Sequence, residues 1–182
     1  MSQPVASAAL SRRDFLRTGT LGGMLLATGS ATAMLAGCAK PHPAANHAFL
    51  REQDIRVLTA LIPVVLKGAL PEGEAQAAAV DNTLKSLDRF IGNTSPGAMA
   101  PLYQLFDLLS LAPARVALCR LWPDWPDASE DELEAFLLRW RDSSVGLFRA
   151  GYAGLVKIIT ASWYLLPESW PATGYDAPVR IV

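Results

Sequence analysis

The residues of this chain that could do chemistry are few, and most of them are acidic. Asp124, Asp127, Glu130, Asp131, Glu132 and Glu134 crowd into one short stretch. Paired carboxylates can pass protons or hold a calcium ion. This run, however, lacks the alternating spacing and central glycine of a calcium loop, and acids at the start of a helix are what its dipole favours. The two histidines, His42 and His47, both precede the apolar-periodic body, so a histidine-based metal or catalytic site inside it is not expected. Cys119 follows Val116-Ala117-Leu118 and reads as a small buried hydrophobe. No phosphate loop, dinucleotide glycine motif or haem-attachment motif occurs. The expectation is a chain with no catalytic, cofactor or metal residues of its own.

The most specific motif is an address. Ser11-Arg12-Arg13-Asp14-Phe15-Leu16-Arg17 matches a twin-arginine export signal, with Arg12, Arg13, Phe15 and Leu16 as its defining residues. The run from Thr18 to Gly37 is diluted by glycines and threonines. That suits an export signal better than a spanning helix, which needs about 20 predominantly apolar residues. Two processing sites compete. Leu35-Ala36-Gly37-Cys38 has the form of a lipobox, with Cys38 as the lipidated new N-terminus, whereas Ala31-Thr32-Ala33 reads as an A-x-A cleavage site. The cysteine directly after Leu-Ala-Gly favours lipidation, which would hold the chain on the periplasmic side of the cell envelope. The expected division is a signal over 1–37, a tether over 38–48 and one helical domain over 49–182.

Acidic and basic residues nearly balance, 17 against 16, and no clustered basic face suggests nucleic acid. Apolar residues recur at helical spacing along the body, without clean two-residue alternation. The fold expected is all-α, a compact bundle of about five or six helices with an extended, aromatic C-terminal tail. The first helix runs from Phe49 to about Lys67, with Arg51, Glu52, Asp54 and Arg56 on its wet face and a kink or end near Ile62 imposed by Pro63. Others cover about 74–91, 98–110 and 113–121. Ser129 with Glu132 forms a capping box for the next. The last spans about 145–166, where Gly146, Gly151 and Gly154 would let other helices approach closely. All five tryptophans lie beyond residue 121. Because aromatics are enriched at protein interfaces, Trp163, Tyr164, Trp170 and Tyr175 are the candidates for a partner-facing stripe.

The chain's ending carries a resemblance. Ala161-Ser162-Trp163-Tyr164, Glu168-Ser169-Trp170 and Gly174-Tyr175-Asp176-Ala177-Pro178, behind a twin-arginine signal and a small helical body, resemble the gluconate 2-dehydrogenase subunit 3 family. These are the small subunits of membrane-associated flavin dehydrogenases. Ala177 stands where the family's Gly-Tyr-x-Gly-Pro-like ending has its second glycine. The resemblance implies a non-catalytic subunit that escorts a flavin-dependent dehydrogenase of the glucose–methanol–choline type through the twin-arginine translocase and anchors it. FAD would sit in that large subunit, and a c-type cytochrome often receives the electrons. Two other readings stay open: a stand-alone envelope lipoprotein binding a small apolar ligand or another envelope protein, and an enzyme using the acidic cluster.

Lipidation has a direct test. Fatty-acid label is expected on the wild-type chain and absent from Cys38→Ala; label that survives the substitution rejects the lipobox.

Overall fold

The computed structural model describes residues 42–175; the signal residues Arg12, Arg13, Phe15 and Leu16, the lipobox Cys38 and residues 176–182 lie outside them. The fold is all-α, with no strand among the described residues. Its helices are α1 (Glu52–Val65), α2 (Glu74–Gly92), α3 (Pro96–Ser110), α4 (Ala112–Ala114, continuing into a π-helical turn Arg115–Cys119), α5 (Glu130–Arg141) and α6 (Gly146–Tyr164). α1 sits centrally, packed on α2, α3, α5 and α6, and α6 packs on α2 and α5.

The apolar stripes account for this arrangement. Val57, Leu58, Leu61 and Ile62 of α1, Leu84, Leu87 and Ile91 of α2, Phe106 and Leu109 of α3, Phe136 and Trp140 of α5, and Leu155, Ile159 and Trp163 of α6 are all buried in one core. Each such side chain contributes about 1.5–3 kcal/mol when fully buried. Local signals fix several ends. Pro96 occupies the first turn of α3, where its missing N–H costs no hydrogen bond, so the helix begins two residues before the expected Ala98. The expected capping box is present: Ser129 N–H donates to Glu132 Oε2 at 2.9 Å and Glu132 N–H to Ser129 Oγ at 3.3 Å.

Four expectations are corrected. Pro63 does not end α1 at Ile62: the helix continues to Val65, because a proline keeps a helical φ and gives up only its own N–H bond to the carbonyl four residues earlier. Asp54 is not on a wet face but fully buried. Its Oδ2 accepts the Arg51 backbone N–H at 3.0 Å and Arg51 Nε at 2.8 Å, while Oδ1 accepts Arg51 Nη2 at 2.7 Å. A paired and hydrogen-bonded charge can be buried where a lone one cannot. Arg51 also reaches Asp107 at 2.6 Å, fastening α1 to α3.

The tether is shorter than expected at its C-terminal end. Ala44 is buried, and its N–H donates to the Leu50 carbonyl at 2.8 Å. The backbone N–H groups of Ala48, Phe49 and Leu50 converge on the Asp88 carboxylate at 2.8, 2.9 and 2.8 Å. The tail, expected to be extended, instead folds through 3-10 turns at Pro167–Ser169 and Pro171–Thr173. Prolines at the first positions of these turns supply the right φ, and Trp170 O accepts the N–H groups of Thr173 and Tyr175 at 2.9 and 3.2 Å.

Among the described residues Asp88 is the acceptor of all three N–H groups, and it is itself buried. Asp88→Ala should therefore destabilise the protein by about 3 kcal/mol, read as a lower urea midpoint, because three donors lose a charged acceptor in a closed site. A midpoint within experimental error of wild type rejects the clamp.

Candidate functional site

The described body holds one large apolar groove, about 690 Å³, walled by α3 and α6. Met99, Leu102 and Leu105 come from α3, and Phe148, Gly154 and Ile158 from α6, with Trp140 of α5 among the lining residues. On α6 the positions 147, 150, 151, 154, 158 and 161 repeat at helical spacing, so one face of the helix opens into the groove. The polar lining residues are Thr94, Gln104 and Lys157. Lys157 is exposed and makes no ion pair among the described residues.

Trp140 shapes this site. Its Nε1–H donates to the Leu118 carbonyl at 3.1 Å, its ring stacks on Phe148 at 5.2 Å, and Phe136 meets it edge-on at 4.9 Å. The series extends to Trp125, whose ring lies 5.7 Å from Phe136 and whose Nε1–H reaches the Leu109 carbonyl at 3.0 Å. Both tryptophans thus bury an apolar body while placing their one donor on a backbone acceptor. A Cβ on Gly151 would lie 2.7 Å from Trp140 Cζ3, so α6 can pass Trp140 only with glycine there. At Gly154 a Cβ would meet nothing within 4 Å, because that position faces the open groove. Of the three glycines expected to admit a neighbouring helix, Gly151 alone does so, and what it admits is an indole; Gly146 is also uncrowded.

The acidic stretch is engaged in structure. Asp124 pairs with both Arg56 and Arg115. Burial pushes its carboxyl up, but the Trp125 N–H and the two guanidinium groups outweigh this and hold it below the usual carboxylate range. Glu130 and Glu134 both face Lys67, at 2.7 and 3.7 Å. Glu132 caps α5, and the Ser129 backbone N–H lowers its carboxyl. No group of three His, Cys, Asp or Glu side chains among the described residues is placed to hold a metal ion. Cys119 is buried as expected, and burial pushes its thiol up to about 12, which makes it a poor nucleophile.

The aromatic stripe comes apart in the fold. Trp163 is 2 % exposed, one helical repeat from Ile159 and Leu155, and belongs to the core; it is withdrawn from the partner-facing set. Tyr164, next along the helix, points outward and is exposed. Trp170 is half-buried, donating Nε1–H to the Tyr164 carbonyl at 3.2 Å and meeting the exposed Tyr175 edge-on at 5.6 Å. Three of the four residues therefore gather at the end of α6. The alternative of a helical pocket for an apolar ligand does not say where one would lie; the signal for its place between α3 and α6 is that α6 is apolar nearly all round. Compared with protein-family models, with curated proteins and with solved structures, the chain finds no match in any of the three.

The two glycines should respond oppositely to alanine. Gly151→Ala forces a methyl against Trp140 and should cost about 1–3 kcal/mol. Gly154→Ala meets open space and should gain up to ~1 kcal/mol from helix propensity. Urea midpoints measure both, and shifts of the same sign reject this account of the groove wall.

Proposed function

We propose that this chain is a non-catalytic subunit that carries a flavin-dependent dehydrogenase through the twin-arginine pathway and anchors it in the cell envelope. The observation that carries the proposal is the groove: a large, mostly apolar surface between two helices, with no cysteine, histidine or carboxylate among its lining residues. Such a surface suits docking rather than turnover. In this reading an apolar helix of the partner lies along α3 and α6. The small residues Ala150 and Gly154 allow its backbone close, and Lys157 offers a cation to an acidic residue on it. Tyr164, Trp170 and Tyr175 would flank the same end of α6.

The export signal supports the same reading from the other end of the chain. The twin-arginine route carries folded proteins, which suits a partner that must receive FAD before export. A c-type cytochrome would take the electrons outside, and Cys38 would tie the complex to the membrane.

A second reading is favoured by one quantity. A groove of about 690 Å³ also lies within the range of sites for small apolar ligands, so the chain would be a stand-alone envelope lipoprotein.

One experiment separates them. The full chain is captured from envelope extracts and its flavin absorbance is measured. Flavin should co-purify with wild type, be lost in Gly154→Trp, which fills the groove at its open position, and be found with activity in the cytoplasm after deletion of residues 1–37. Normal periplasmic activity after that deletion would falsify the escort role. A bound apolar ligand without flavin supports the second reading instead.

A further inference from the structure

A second surface lies apart from the groove wall formed by α6. We infer that residues 110–123 form a membrane-docking loop that seats in the interface of an anionic lipid bilayer. This inference stands independently of the export reading, since it concerns how the folded domain meets a lipid surface.

The loop is closed at its base and rigid in its inner half. Trp125 Nε1–H bonds to the Leu109 carbonyl at 3.0 Å, joining the two ends, and Cys119, Leu121 and Trp125 are buried beneath it. The carbonyls released where α4 ends do not need water. Trp140 Nε1–H takes that of Leu118, and the Arg139 guanidinium takes that of Cys119. These bonds hold Arg120 in the left-handed region, φ 51, and direct the chain outward.

What the loop presents outward is apolar. Leu111 is 58 % and Trp122 78 % exposed, and Ala112, Pro113 and Ala117 are exposed with them. A tryptophan this bare is unusual on a surface facing water alone, and its amphipathic ring suits the headgroup level of a bilayer. The charge pattern selects the kind of lipid. No acidic residue occurs between Asp107 and Asp124. Arg115 is spent on Asp124 and is 12 % exposed, whereas Arg120 is exposed and makes no ion pair among the described residues. A loop with exposed Leu, Trp and Arg and no carboxylate complements an anionic headgroup surface over an apolar interior.

The geometry also says how deep it goes. No single described helix is long and apolar enough to cross a membrane, and α3 and α4 are bent by 83° at Leu111. Together the two have the length and hydropathy of a broken span, but Phe106, Leu109 and Cys119 are committed to the core, so only the corner between them is placed in the interface. A lipid-anchored domain docked in this way would have two attachments to the same membrane.

Tryptophan emission tests the inference. The full chain is bound to vesicles of phosphatidylglycerol and phosphatidylcholine in which brominated phosphatidylcholine is the quencher. Trp125, Trp140 and Trp163 are buried and Trp170 is half-buried, whereas Trp122 is largely exposed, so the wild-type chain should be quenched mainly through Trp122. Most of that quenching should disappear in Trp122→Phe, and Arg120→Glu should reduce it when phosphatidylglycerol is present. The apolar N-terminal run can hold any variant at the vesicle, but it cannot make quenching depend on Trp122. Equal quenching of wild type and either variant overturns the inference, including the case in which a protein partner covers this loop.

Discussion

The position of Trp140 is the constraint on which most of this architecture depends. Its indole nitrogen closes the open end of α4, its edge and faces hold Phe136 and Phe148, and its six-membered ring occupies the space that any side chain at residue 151 would need. The distance between α5 and α6 follows from that contact. So does the groove, because α6 is held against Trp140 at Gly151 and stands clear of α3 at Gly154. Aromatic packing of this kind is worth about 0.5–1.5 kcal/mol per pair beyond burial, yet its larger effect here is geometric.

The ionisable residues serve the same end. Asp54, Asp88 and Asp124 each collect several donors, joining α1 to its own first turn, the incoming chain to α2, and the tryptophan loop to α1 and α4. Each carboxylate is therefore an organiser of backbone and guanidinium groups. Among the described residues the buried carboxylates are committed to holding shape, and two conspicuous exposed surfaces are largely apolar. That division is why docking, to a partner in the groove and to lipid at the α3–α4 corner, is the role proposed for it.

Much of the helix pattern was legible in the residues. The stripe Val57, Leu58, Leu61 and Ile62 and the Ser129–Glu132 cap act over one or two turns, and their outcome needs no knowledge of the rest of the chain. The buried acids were not legible in the same way. Asp88 does fall in register with Leu84 and Ile91, so its inward position was available from spacing. What it would bind was not, because its donors lie about 40 residues earlier. Pro63 is a related case: its ring keeps a helical φ and forfeits one backbone bond, while core packing of Leu61, Ile62 and Leu66 carries the helix past it.

The sequence by itself determined an all-α body, its main helices and the burial of Cys119, since each rests on periodicity or short-range order. Tertiary structure alone decided which aromatics face inward, placing Trp163 in the core and leaving Trp122 bare. It also decided which of three glycines is obligatory, and that α3 and α6 part to leave a groove. These outcomes depend on where a neighbouring element's side chains arrive, and residues 140 and 151 meet through space rather than along the chain.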